Sequence, residues 1–384
     1  MIKAIAIANY RSLKDVVLPL KQLTVITGAN GSGKTNLYKS LKLLSETSIN
    51  NAISCLALEG GINSVLWAGP EGTTKGFPIQ GEARKNPIQL KLGFASDQFS
   101  YSIEFGLPKQ FGGSAFNNDA EIKREVIWHG EVWRPSAALM DRKNSLVFAL
   151  NDNGVSQPLP IELAPYDSIL NGLADPTKQP EAFILRDQIR FWRFYDHFRT
   201  DEFSAVRNSS IGTRTPILHH DGRDLASALQ TIIEIGDAEG LANAIDNAFP
   251  KSTMVIQNND GIFNISFKEY GLLRSLSQSE LSAGTLKYLL WVAALLTPRP
   301  PALMVLNEPE TNLHPDLIPA LVELILEASH NSQVWVVTHS LLLAQMLGEH
   351  QDCAFINLVK ENGETKIENQ TEFEKKTIWN WPPR

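Results

Sequence analysis

The chain has only two cysteines among its 384 residues, Cys55 and Cys353, and they form neither a C-x-x-C pair nor a metal-spaced cluster. That excludes a disulfide scaffold and a cysteine–zinc site, and it fits a reducing compartment. Positive charge is in deficit, with 35 Lys and Arg against 42 Asp and Glu and a net charge of -7. A generally basic coat for nucleic acid is therefore excluded, and only a local basic groove stays open. Long apolar runs are missing as well. The longest, Leu289–Leu296, lies between Lys287 and Pro298 and is far too short to span a bilayer. Met1–Tyr10 alternates but lacks a signal-peptide layout, so the expected location is the cytoplasm, with no membrane partner. No internal repeat, low-complexity tract or sustained heptad occurs, which excludes solenoids and long coiled-coil arms.

The remaining composition, 43% hydrophobic and 20% charged, is that of a globular chain and excludes wholesale disorder. The length exceeds the usual span of one core, so two lobes are expected. Ile2–Ala8 and Leu23–Thr27 read as strands, separated by the polar segment Asn9–Asp15 and a short apolar return, Val16–Leu20. A helix pattern runs from Lys34 to Leu44, with Leu37, Leu41 and Leu44 on one face. The turn-rich stretch Gly60–Gly113, with alternating runs Ile88–Phe94 and Phe99–Phe105, reads as an antiparallel β lobe, and Asp119–Pro160 adds two strand pairs. Helical pattern returns at Pro180–Phe198 and Leu225–Phe249. The last third then alternates: helix Gly284–Leu296, strand Ala302–Leu306, helix Ile318–Ser329, strand Gln333–Thr338. That order predicts a mostly parallel sheet with flanking helices. A hairpin turning at Asn362-Gly363 and a Trp379/Trp381 tail follow. The expected division is a core of 1–50 and 271–384, with 51–270 inserted as a β-rich lobe plus helical material.

Gly28-Ala-Asn-Gly-Ser-Gly33-Lys34-Thr35 matches G-x-x-x-x-G-K-[ST] without a mismatch, between an apolar strand and an amphipathic helix. Glycines let successive N–H groups turn toward phosphate, and the helix N-terminus adds partial positive charge. Lys34 is suited to the β- and γ-phosphates of a nucleotide, and the Thr35 hydroxyl to Mg²⁺. The apolar strand Leu303-Met-Val-Leu ends in Asn307-Glu308. Asn307 can accept a hydrogen bond from a metal-bound water but carries no charge, and Glu308 can orient or deprotonate an attacking water. Leu281-Ser-Ala-Gly-Thr285 opens a helix, with Ser282 as its cap and Gly284 allowing close backbone approach. His339 follows a strand at the edge where open α/β sheets bind ligands.

In this order the elements resemble the ATPase heads of the ABC class, in the RecF, SMC and OLD-like branch, over about Met1–Leu44 and Gly271–Leu347. Within it, the similarity is greatest to small bacterial RecF-like ATPases without coiled coils. Asn9-Tyr10-Arg11-Ser12-Leu13 looks like the branch's opening motif, Leu281–Thr285 like its signature, Asn307–Glu310 like the end of its Walker B strand, Thr311–Pro315 like its D-loop and Thr338-His339-Ser340 like its H-loop. The resemblance implies an α/β P-loop fold of ABC type, with a mixed sheet, an antiparallel β lobe and a helical insertion. It implies that Gly28, Ala29, Asn30, Gly31, Ser32, Gly33, Lys34, Thr35, Asn36 and Arg11 hold ATP, with Mg²⁺ on Thr35 and, through water, Asn307. Glu308 and His339 would act in hydrolysis. Ser282 and Gly284 would serve the nucleotide of a second copy in an ATP-dependent homodimer. Asn307 departs from the family's usual Asp, and the Q-loop glutamine has no evident match; Ser64–Pro70 is the region expected to contain it. OLD nucleases carry a Toprim domain after the head, and the segment after His339 is too short for one, so no intrinsic nuclease is expected.

Leu185–Arg199 sets four arginines among five aromatics, a composition that can grip single strands. Four acids in or beside it leave the stretch barely basic, which favours an amphipathic element packed into the lobe. The first functional reading is an ATPase acting in DNA metabolism or defence, with DNA as a candidate partner. The alternative is a slow ATP-dependent switch that gates a separate effector protein. A transporter subunit fits less well, because of the opening motif and the large middle insertion.

Overall fold

A computed structural model describes residues 1–70, 88–108, 115–151, 154–196 and 198–383. The chain divides into two compact units, Met1–Lys21 with Ile26–Trp192 and Ile356–Arg384, and Gln22–Val25 with Arg193–Phe355.

The first unit is built on an eight-stranded antiparallel sheet, in the order Leu13–Pro19, Ile2–Tyr10, Leu90–Ser96, Phe99–Gly106, Glu121–His129, Ala138–Lys143, Leu146–Leu150, Ser156–Glu162. Seven of the eight residues of Phe99–Gly106 are buried, so both faces of this strand are covered. Part of the cover is aromatic: Trp379 lies 5.5 Å from the Trp128 ring and 5.1 Å from Trp381. Asn362 and Gly363, at φ 51° and 84°, turn the hairpin Cys353–Glu361/Glu364–Ile367 as the sequence predicts.

The second unit contains three adjacent parallel strands, Arg193–Tyr195, Leu303–Asn307 and Gln333–Val337. Helices Ala283–Leu295 and Ile318–Asn331 contribute the two largest shares of its core, and Leu286 and Tyr288–Ala294 are almost completely buried. A small antiparallel sheet joins Thr253–Asn259, Ile262–Lys268, Ser210–Ile211 and Leu276–Ser277. Among the described residues, no helix is long and apolar enough to cross a membrane.

Four segments differ from expectation. Asn9–Asp15 is mostly strand, because antiparallel pairing runs to Tyr10 opposite Leu13 and leaves only Arg11 and Ser12 to turn. The helix from Pro180 ends at Arg190, and Phe194 and Tyr195 beyond it enter the strand Arg193–Tyr195. Aromatic side chains suit a half-buried strand, and pairing with Leu303–Asn307 decides the outcome. The pattern Leu225–Phe249 breaks at Gly236, after which Asp237 caps a new helix by accepting from the Gly240 N–H at 2.8 Å. The stretch Gly60–Gly113 opens with the helix Ile62–Val65, and the first strand among its described residues starts at Leu90. Its residues 71–87 and 109–113 lie outside the described ones.

A fully buried ion pair sits inside the β lobe. Glu125 accepts from the Tyr101 hydroxyl at 2.6 Å and the Ile169 N–H at 2.9 Å, and lies 3.6 Å from the Arg142 guanidinium. Burial pushes the Glu125 carboxyl up and the Arg142 guanidinium down, and each charge opposes the shift of the other. Glu125→Ala leaves Arg142 buried without its carboxylate, and urea denaturation is expected to register a loss of about 3–5 kcal/mol. A loss below about 1 kcal/mol would mean that the carbonyl groups bonded to Arg142 suffice alone.

Candidate nucleotide site

Strand Leu23–Gly28 leads into the glycine-rich loop, and helix Lys34–Glu46 of the first unit follows it. Two glycines are dictated by space as well as conformation. A Cβ on Gly28, at φ 148°, would lie 2.4 Å from the Leu358 carbonyl oxygen, and one on Gly33, at φ 113°, would lie 2.2 Å from Thr365 Oγ1. Lys34 is buried, and its Nζ donates to the carbonyls of Gly28 at 2.5 Å and Ala29 at 3.0 Å. The ammonium is thereby held against the loop it serves, while Thr35 on the first helical turn is exposed. Ser32 Oγ is buried with no hydrogen-bond partner. An orphaned hydroxyl on a glycine-rich loop, beside a buried cation, fits phosphate.

A chain of hydroxyls braces the loop. Thr365 Oγ1 donates to the Ser32 carbonyl at 2.7 Å, lies 2.7 Å from Ser12 Oγ, and Ser12 Oγ accepts from Asn36 Nδ2 at 2.8 Å. Asn36, expected among the nucleotide ligands, has its side-chain amide on Ser12. Arg11 is committed to Glu59 through Nη2 at 2.6 Å, and Glu59 also accepts from the Tyr10 hydroxyl. The hydrogen bond to Glu59 raises the Arg11 guanidinium further above its ordinary value.

In the second unit, parallel register brings the other candidates to one sheet edge. Tyr195 pairs with Leu306, and Asn307 with Val337. The residues past these strand ends therefore leave together: Asp196, Glu308, and His339 after Thr338. His339 Nε2 lies 2.9 Å from Glu308 Oε1. Glu308 stands at φ 50°, a left-handed conformation that costs a non-glycine residue about 1 kcal/mol. Its N–H donates to the Val337 carbonyl at 2.7 Å, which holds that conformation. Glu310 Oε1 accepts from Thr338 Oγ1 at 2.5 Å and from the N–H groups of His339 and Ser340 at 3.0 Å each. One carboxylate oxygen thereby shapes the whole turn that carries the histidine.

Ser282 caps helix Ala283–Leu295 by accepting from the Thr285 N–H at 3.0 Å, and the residue is exposed. A Cβ on Gly284 would meet nothing closer than 3.6 Å, so the N-terminal turn is open to an approaching anion. Arg207 steadies the segment before it by donating to the carbonyls of Leu281 at 2.8 Å and Ser279 at 3.1 Å.

Two participants escaped sequence reasoning. Asn307 Nδ2 donates to Asp196 Oδ1 at 2.7 Å, but Asp196 lies in a segment whose periodicity reads as helix. Ser64–Pro70, the stretch expected to hold a Q-loop glutamine, contains none. Thr365 belongs to a legible hairpin, yet nothing in its local sequence points to the loop 333 residues earlier that it braces.

Residues 23–344 match the family described as "AAA domain, putative AbiEii toxin, Type IV TA system". The chain is similar to the OLD nuclease of Thermus scotoductus, at 20% identity over 96% of this chain and 66% of that protein, so it spans about two thirds of that relative's length. It is also similar to the ATP/GTP phosphatase of Helicobacter pylori, at 20% identity over 91% of this chain and 88% of that one. Among solved structures, the SMC head bound to the C-winged helix domain of ScpA matches with a TM-score of 0.51 at 14% identity, covering 95% of this chain and 97% of that one. That likeness is one of fold, and the fold is that of an ABC-type P-loop head. With the family match running over most of its residues, the chain belongs to this AAA-domain family and stands with the RecF, SMC and OLD-like ABC ATPases.

Proposed function

We propose that the chain binds ATP with Mg²⁺ on the loop Gly28–Thr35, hydrolyses it with Glu308 as the carboxylate that aligns water, and works as an ATP-closed pair of heads in DNA metabolism or defence. The observation that carries this reading is the loop itself, with its glycines at obligatory positions, Lys34 buried against the loop carbonyls and Ser32 Oγ without a partner. Thr35 would be the hydroxyl ligand to Mg²⁺. The ion's role would be to offset phosphate charge, while the loop orients the phosphates through its N–H groups. His339, within hydrogen-bond distance of Glu308, would orient that carboxylate and can also donate to a phosphate oxygen. Support for action on DNA comes from the similarity to an OLD nuclease. The neutral Asn307 and the hold of His339 on Glu308 favour a second reading, a slow switch that closes on ATP and gates a partner effector. Steady-state phosphate release with and without DNA separates the two.

Lys34→Ala removes the cation from the loop and is expected to weaken ATP binding about 30-fold or more. Calorimetry checks it, and unchanged affinity would sink the assignment of the loop. Glu308→Gln keeps shape and hydrogen bonding but removes the base, so ATP should still bind while turnover falls about 10²- to 10⁴-fold. A variant that turns over like the parent transfers the water-aligning role elsewhere.

Pairing of heads would follow from Ser282 and Gly284 serving the γ-phosphate of a second copy. Ser282→Arg should then block closure but leave ATP on its own loop. Mixing Ser282→Arg with Lys34→Ala, each inactive alone, should restore partial activity, because a mixed pair has one site free of both lesions. No recovery, together with a hydrolysis rate per molecule independent of protein concentration, would falsify the paired site.

A further inference from the structure

The helix that Ser282 opens carries a buried cation. Lys287 is fully buried, and its Nζ has no hydrogen-bond partner. The ammonium lies 5.5 Å from the ring centroid of Phe198 and 5.7 Å from that of Trp291, and aromatic faces offset only part of the cost of taking a charge out of water. Burial pushes it down to about 8, while Asp196 and Glu310 act in the opposite direction. Of these two acids, Glu310 is the one that also holds the histidine. Its Oε1 accepts from Thr338, His339 and Ser340, and its Oε2 is buried with no hydrogen-bond partner. One side of the carboxylate is spent on a turn, and the other has only fixed charge to answer it.

The backbone sets Glu310 against the same face of that helix. Gly284, Lys287 and Trp291 are spaced three and four apart and so share a face. A Cβ on Gly284 would lie 3.6 Å from the Asn312 carbonyl oxygen, and Trp291 Nε1 donates to the Pro309 carbonyl at 2.9 Å. Those two contacts bracket Glu310 on the segment, just as Gly284 and Trp291 bracket Lys287 on the helix. The segment is closed by its own turns: the Thr311 N–H donates to the Glu308 carbonyl at 3.1 Å, and the Leu313 N–H to the Glu310 carbonyl at 3.0 Å. Beyond it, His339 Nε2 lies 2.9 Å from Glu308 Oε1. Helix, acid and histidine thus form one connected path, all of it inside the second unit.

We propose that Lys287 and Glu310 are a positioning pair for His339: the buried ammonium anchors the Glu310 carboxylate, and the carboxylate holds the turn Thr338–Ser340 so that the histidine meets Glu308. The helix opened by Ser282 is thereby tied to the histidine through buried charge. This rests on the reading above in which Glu308 and His339 act in hydrolysis.

The full chain, labelled with ¹⁵N-histidine, is read by NMR, with the His339 signal identified by its loss in His339→Gln. Steady-state kcat and KM for ATP are measured alongside. Glu310→Gln keeps one acceptor oxygen but removes the charge, and Lys287→Met replaces the ammonium with an apolar chain of similar length. Each is expected to move the His339 signal and to lower kcat about 10- to 100-fold, with KM for ATP within about twofold of the parent, as for a misplaced catalytic group. Because the two residues act in series, Lys287→Met/Glu310→Gln should be no slower than the slower single variant. An unmoved His339 signal in Lys287→Met overturns the proposal, since a lysine that only fills the core leaves the histidine alone. Losses in kcat that multiply in the double variant overturn it too. If Lys287→Met does not fold, Lys287→Gln, with a polar head and no charge, decides by the same readouts. If Glu310→Gln does not fold, Thr338→Val, which removes one of the three donors to Glu310, takes its place. If Glu308→Gln turns over like the parent, the hydrolysis reading itself fails. If Glu308→Gln is slow while Glu310→Gln keeps the parent's kcat, this proposal alone falls.

Discussion

Parallel pairing on both sides of Leu303–Asn307 decides where chemistry can occur in the second unit. The interiors of this strand and of Gln333–Val337 are buried and apolar, so polar side chains are admitted only at the strand ends and past them. Register then aligns those ends, with Tyr195 level with Leu306 and Asn307 level with Val337. Asp196, Asn307, Glu308 and His339 meet because three backbones stop together. No local signal in any one segment would bring them together. Glu310 adds the last constraint by accepting from three donors of the following turn, so the histidine is positioned by an acid that need not touch a ligand.

The loop in the first unit is ordered by other means. Its conformation is made of positive φ angles at Gly28, Gly31 and Gly33, which side chains would resist, and its walls are hydroxyl groups and a carbonyl from distant residues. Space is scarce around it: a methyl group on Gly28 or Gly33 would collide with Leu358 or Thr365. Close approach is what lets peptide N–H groups act as an anion cradle.

Much of this was legible in the sequence, for identifiable reasons. The G-x-x-x-x-G-K-T match is read directly because glycine and lysine have few substitutes for their tasks, and the strand–helix alternation after Gly284 is read because its apolar periods are strong. Ser282 was legible as a cap because capping is local. Asp196 was not, since the strand Arg193–Tyr195 is three residues long and exists by virtue of its pairing partner. Its aromatics continue the helical spacing of the preceding segment, and only tertiary pairing overrides that. Arg11 and Asn36 show the converse. Their position in the motif was legible, but the side-chain bonds they make to Glu59 and Ser12 were not.

The hydroxyl that Thr365 lends to the Ser32 carbonyl has a consequence for how the protein is made. Synthesis delivers the loop early and its brace 333 residues later, an interval of roughly 15–70 s at common elongation rates of about 5–20 residues per second. Throughout that interval the glycine-rich segment has its sequence but not its walls, and the peptides that should converge are free to turn outward. A nascent chain therefore acquires its cradle only after Thr365 has been added, in one step with the closing of the Asn362-Gly363 hairpin.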